Sequence, residues 1–241
     1  MSPSVVITGA SRGLGLALVR KYLEAGWQVY GVSRTRKYWK SAQGKLPKGA
    51  PLSFHAVDLT SEPKVKIFAR KFKNNPVDLL INNAGYGGGL LKTEETPLAE
   101  YKRLMDGNLL SAFLMCKHFV PVFRRQKKGS IFNISSMAGQ RAVPNLAIYS
   151  AAKFAVIALS QAVAKENADI PLKCLTVCPG GMNTEMRALI FGKEDAARQQ
   201  SAEFVAKTIF EVSQDRIAVE SGGDIVIRHG KITAIHPSPA A

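Results

Sequence analysis

A glycine-rich segment between two patterns that demand different backbone geometries restricts the fold of this chain more than any other feature. Val5-Val6-Ile7 is a short β-branched run, and Leu14, Ala17, Leu18 and Leu23 recur at helical spacing until Gly26. Between them lies Thr8-Gly9-Ala10-Ser11-Arg12-Gly13-Leu14-Gly15. Glycine there lets the backbone bend with positive φ and approach a ligand, while the helix start supplies unpaired N–H groups and the positive end of a dipole. Strand, glycine turn and helix in that order predict an anion site contacted by Gly9, Ser11, Arg12, Gly13, Leu14 and Gly15.

The same alternation continues downstream. Strands are expected at Val29 to Val32, Leu52 to Val57, Val77 to Ile81, Ser130 to Ile134 and Leu172 to Val177. Helices are expected at Val65 to Phe72, Leu98 to Met105, Leu109 to Phe123 and Ala151 to Ala164. Strands that are apolar throughout, alternating with helices, imply a parallel sheet covered on both faces: a doubly wound α/β fold. The 241 residues, 46% hydrophobic, suit one domain spanning 1–241. Residues 35–49 carry at most a weak helix, 184–200 resembles a lid, and the end suggests a last strand with a hairpin at Gly230.

Composition narrows the partners. Cys116, Cys174 and Cys178 are too few for a disulfide framework and lack a nearby set of ligands, so neither disulfides nor a metal is expected. No run of about eighteen apolar residues appears, and Met1-Ser2-Pro3-Ser4 lacks the features of a secretory signal. A cytoplasmic protein without a membrane span is the expectation. The net charge of +15 favours anions in general without choosing among them. No helix-turn-helix or aromatic–basic platform accompanies it, so nucleic acid is not the expected partner.

The end of the second strand reads Gly31-Val32-Ser33-Arg34. An acidic residue there would bind a ribose 2′-hydroxyl, whereas a basic one accommodates a 2′-phosphate. Arg34, with Ser33 beside it and Arg12 from the glycine turn, predicts NADPH or NADP+ in preference to NADH. Asp58 and Leu59 after the third strand, and Asn82, Ala84 and Gly85 after the fourth, lie where open α/β sheets bind ligands. Asn82 could equally hold adjacent strands together.

Tyr149 and Lys153 are one turn apart at the start of an Ala-rich helix, so the ammonium can act on the phenol. A neighbouring cation favours phenolate and brings Tyr149 towards general acid–base duty. Thr-Gly-x-x-x-Gly-x-Gly at 8–15, Asn-Asn-Ala-Gly at 82–85, Asn108, Ser136, Tyr-x-x-x-Lys at 149–153 and Pro179-Gly180 together resemble the short-chain dehydrogenase/reductase family, with its Rossmann-type fold. The resemblance runs over nearly the whole chain.

It implies that Ser136 binds the substrate oxygen, Tyr149 transfers the proton, Lys153 holds the nicotinamide ribose, and Asn108 supports a water linked to Lys153. Pro179, Gly180, Met182 and Thr184 would border the nicotinamide. Ser135 competes with Ser136, but adjacent strand residues face opposite ways and the family spacing selects Ser136. Residues 221–235 depart from the family's usual strand followed by Asp-Gly-Gly, so a homodimer is expected ahead of a homotetramer. The implied activity is reduction of a small-molecule ketone or aldehyde; a 3-oxoacyl-carrier-protein reductase and a non-catalytic NADPH-binding regulator are the alternatives. Residues 85–93, 140–147 and the lid would shape the substrate pocket, with Met137, Val143, Leu146, Met182 and Met186 giving it an apolar lining.

Overall fold

The computed structural model describes residues 2–44, 46–47 and 49–239. Eight strands form one sheet: β1 (Ser4–Thr8), β2 (Gln28–Ser33), β3 (Leu52–Ala56), β4 (Leu79–Asn82), β5 (Gly129–Ile134), β6 (Leu172–Pro179), β7 (Asp224–Arg228) and β8 (Lys231–His236). Their order is β3-β2-β1-β4-β5-β6-β7-β8, with β1 to β7 parallel and β8 antiparallel to β7. The hairpin before β8 turns on His229 and Gly230, at φ 52° and 68°. Two consecutive positive φ values match the right-handed twist of the flanking strands.

Side-chain alternation explains why the strands are apolar throughout. Val5, Ile7, Leu79, Ile81, Leu175 and Val177 face a core shared with helices α1 (Gly13–Glu24) and α9 (Ala202–Ser213). Val6, Leu80, Ile131 and Cys174 face the other way, against α3 (Glu62–Arg70) and α5 (Ser111–Gln126). Both faces are therefore buried, as parallel sheets require.

Four segments depart from the sequence reading. Residues 37–43 do form a helix, α2 (Lys37–Gln43). The lid is two short helices, α7 (Glu185–Phe191) and α8 (Lys193–Ala197), fastened by an Arg187–Asp195 ion pair at 2.5 Å. Helix α9 was not anticipated, although Ser201 caps it by accepting from the Phe204 N–H at 3.1 Å. Helix α4 (Leu98–Met105) runs into α5 through one wide π-helical turn, Asp106–Leu110, rather than stopping between them.

Helix α6 (Ala147–Glu166) is long and apolar enough to cross a membrane by length and composition. It packs on β5 and β6 with Ala152, Val156, Val163 and Ala164 buried. Its first turn lies at the carboxyl ends of those strands. The strand order reverses at β1, between β2 and β4, so the crevice opens above that point.

Candidate active site

The glycine turn joins β1 to α1 with Gly9 at φ +67° and Gly13 at φ +52°. A Cβ on Gly15 would lie 2.1 Å from the Gly9 carbonyl oxygen, so any side chain there would separate helix from turn. No side chain caps α1, which leaves its first N–H groups facing the cleft. Thr8 braces the turn from behind: its hydroxyl accepts from the Asn83 and Ala84 N–H groups at 2.9 Å, and Asn83 Nδ2 donates to the Thr8 carbonyl at 2.8 Å.

These groups form one end of a cleft of about 480 Å³. Gly9, Ser11, Arg12, Gly13, Leu14, Gly15, Ser33, Arg34, Asp58, Leu59, Ala84, Gly85, Asn108, Tyr149, Lys153, Met182 and Thr184 all line it. The end of β2 contributes Ser33, Arg34 and Thr35 and no carboxylate. The Thr60 hydroxyl donates to Asp58 Oδ1 at 2.8 Å and holds that carboxyl below its usual range, with Lys64 and Arg34 adding to the effect. Arg12 pairs with Glu185 of α7 at 3.3 Å and stacks on the Tyr38 ring at 4.9 Å. A backbone cradle that excludes side chains, beside two guanidinium groups, fits a dinucleotide phosphate.

Of its two readings, Asn82 takes the one in which it holds adjacent strands together, not the one at the ligand site. Its Nδ2 donates to Asn133 Oδ1 at 2.8 Å and to Cys116 Sγ at 3.5 Å, inside the core between β4 and β5. Successive strand residues point to opposite faces, so Asn83 is the asparagine that meets the cleft. Pro179 and Gly180 do not line it either: the Gly180 N–H donates to the Ile227 carbonyl at 2.8 Å, which ties this turn to β7.

At the other end, Tyr149 and Lys153 lie on the first turns of α6. Lys153 is buried; its Nζ donates to the Ile134 carbonyl at 3.0 Å and lies 5.8 Å from the Tyr149 ring centroid. Burial pushes the lysine down to about 8, partly opposed by Cys178. Burial also raises the Tyr149 phenol, and the Ser136 hydroxyl, hydrogen-bonded to it, pulls it partly back. The expected lowering by the ammonium is therefore corrected, because desolvation of a buried phenolate is the largest influence on this group. At neutral pH Tyr149 keeps its proton and can donate it.

Ser136 touches Tyr149 without itself lining the cleft, and its Oγ accepts from the Ala138 N–H at 3.1 Å. Ser135 reaches the cleft wall, but its hydroxyl is spent on the Lys153 carbonyl at 2.8 Å. Asn108 sits in the π turn with its carboxamide committed to backbone: Nδ2 donates to Tyr86 O and Leu104 O at 2.8 Å, and Oδ1 accepts from Tyr86 N at 3.3 Å. Its side chain thus fixes the turn at Gly85-Tyr86.

Met186 lines the cleft as expected, whereas Tyr38, Asn83, Tyr86, Arg103, Asp106 and Glu185 were not singled out by sequence reasoning. Asn83 was legible from strand parity. Tyr86 was not, since it reaches the cleft only because Gly107 leaves room, a Cβ there falling 3.0 Å from Tyr86 Cβ. Gly87 similarly lets Met186 and Ile190 of α7 seat on the turn after β4.

Comparison with known proteins agrees with this fold. The family profile described as short chain dehydrogenase matches residues 3–195. An NADPH-dependent pterin aldehyde reductase of Arabidopsis thaliana is 29% identical over 226 residues, 93% of each chain. A 2-(R)-hydroxypropyl-CoM dehydrogenase of Xanthobacter autotrophicus is 30% identical over 246 residues, 95% of each chain. Among solved structures, ElxO with NADP bound superposes with a TM-score of 0.85 at 25% identity, covering 94% of this chain and 97% of that one. With the profile spanning most of the sequence and a relative 30% identical over nearly its whole length, the chain belongs to the short chain dehydrogenase family of oxidoreductases.

Proposed function

We propose that this chain is an NADPH-dependent carbonyl reductase acting on a small ketone or aldehyde. The observation that carries the proposal is the placement of Tyr149, hydrogen-bonded to Ser136 and one helical turn from Lys153, in the same cleft as the glycine cradle. When bound, the reduced nicotinamide supplies the hydride that adds to the carbonyl carbon.

Ser136 and Tyr149 hold the carbonyl oxygen, and Tyr149 gives its phenolic proton to that oxygen as it gains negative charge. Lys153 supports the resulting phenolate and holds the nicotinamide ribose. Arg12 and Arg34 take the 2′-phosphate, and Asp58 the adenine end. Met182, Thr184 and Met186 line the same cleft and would border the nicotinamide. The Arabidopsis relative is named for NADPH and the ElxO structure for NADP, which supports the cofactor choice.

Tyr149→Phe tests the proposal. Turnover, followed as NADPH absorbance over a panel of ketones and aldehydes, is expected to fall by about 10²- to 10⁴-fold, the usual contribution of a general acid. NADPH binding by fluorescence titration should be unchanged. Retained turnover would remove Tyr149 from the chemistry. We further propose a homodimer, built on Phe113 of α5 and Phe154 of α6, which are 43% and 44% exposed on adjacent helices. A monomer by analytical ultracentrifugation, or a dimer unaffected by Phe154→Glu, would overturn that assembly.

A further inference from the structure

A chain of polar contacts outside the cleft runs from the C-terminal hairpin to the back of the proton-transfer site. It begins at His236, the last residue of β8, whose side chain is half exposed. His236 Nδ1 meets Asp224 Oδ2 at 2.8 Å and Oδ1 at 3.2 Å. Asp224 opens β7 and is nearly buried. Its Oδ2 also accepts from Gln140 Nε2 at 2.9 Å, across 84 residues of sequence. Gln140 Nε2 further reaches Cys178 Sγ at 3.3 Å, and Cys178 lies close enough to Lys153 for each to shift the other's titration.

Gln140 is well placed to transmit this anchoring. It ends the short 3₁₀ turn Met137–Gly139 that leads out of Ser136, and its N–H donates to the Met137 carbonyl at 3.1 Å. The Gly139 N–H closes the same turn on the Ser136 carbonyl at 2.8 Å. A buried carboxylate left without donors is strongly destabilising, so Asp224 needs Gln140 and His236 together. The hairpin therefore holds the turn, and the turn holds Ser136.

We infer that Gln140, Asp224 and His236 are positioning residues for the reaction: the C-terminal hairpin fixes the Ser136 turn and the wall behind Lys153. The inference rests on the assignment of Ser136, Tyr149 and Lys153 to turnover made above. None of the three positioning residues touches the cleft, and none belongs to the recurring motifs. Their effect should fall on kcat, through the geometry of proton transfer, rather than on NADPH binding.

Two measurements on the full chain decide it. In hydrogen exchange, the amides of Gly139, Gln140 and Arg141 should exchange about tenfold faster in Gln140→Leu and Asp224→Asn, the scale of one lost net hydrogen bond. Amides of α1 should not change. Unchanged exchange at 139–141 overturns the inference whether or not the chain reduces any carbonyl tested.

In kinetics with NADPH and the best carbonyl of the panel, His236→Asn and Gln140→Leu should lower kcat about five- to tenfold with little change in the KM for NADPH. Gln140→Glu sets two carboxylates against each other and should lower kcat further. Adding Asp224→Asn to it exchanges donor and acceptor and should restore most of the loss. Equal losses with no rescue in the double variant would reduce the chain of contacts to simple packing and overturn its positioning role. A wild-type protein that turns over no carbonyl would instead sink the reductase proposal, leaving the exchange experiment to judge the hairpin.

Discussion

Lys153 is the residue whose placement costs most. Its ammonium is buried, and the gap between 10.5 and about 8 corresponds to about 3 kcal/mol of unfavourable burial at neutral pH. The unfolded chain binds this proton more tightly than the folded one. The cost is thus full below about pH 8 and shrinks as pH rises towards 10.5, the ordinary lysine value. Lys153→Met is expected to be more stable than wild type near pH 7, with an advantage that narrows by about pH 10 in denaturant titrations, while turnover is lost. An advantage that stays constant with pH would show that burial of the charge is not what the residue costs. Arg34 offers a second residue-scale prediction. Arg34→Ala should raise the Kd for NADPH about 10- to 100-fold and leave that for NADH unchanged in fluorescence titration, because only the 2′-phosphate uses the guanidinium.

Among the elements, α7 does two things that its sequence does not announce. It packs Met186 and Ile190 onto Gly87, and it brings Glu185 to Arg12 across the cleft mouth. Glu185 and an incoming phosphate compete for the same guanidinium. Exposed ion pairs are weak, about 0.2–1 kcal/mol, so Glu185→Gln should tighten NADPH binding by only about 1.5- to 5-fold, and the gain should disappear at high salt. Weaker binding in Glu185→Gln would mean that the pair orders the lid rather than guarding Arg12. The π turn between α4 and α5 follows the same logic. Widening the helix by one residue turns Asn108 inward, where it holds both backbone groups of Tyr86.

At the scale of the whole molecule, part of the +15 charge lies away from the cleft, as at Lys64, Lys66 and Arg70 of α3 and at Lys71 directly after it. If an acidic carrier protein used that surface, turnover of its acyl thioester would fall steeply with salt while turnover of a free ketone would not. Equal salt dependence for the two substrates would leave the charge with no part in substrate capture. Much of the architecture was legible beforehand, since strand–turn–helix order, continuous apolar strands and a glycine turn are local consequences of backbone sterics and of burial on both faces. Tyr149 and Lys153 were legible for the same reason: helical spacing alone puts them on one side of α6. What the sequence could not carry were quantities that depend on depth and on distant partners. Burial, not the neighbouring cation, governs the Tyr149 phenol; strand parity hands the cleft to Asn83 and leaves Asn82 in the core; and Gln140 meets Asp224 across 84 residues of sequence. Local pattern determined which elements form and which chemistry they can offer, whereas desolvation and long-range contact, properties of the packed molecule alone, decided which side chains meet and in which protonation state.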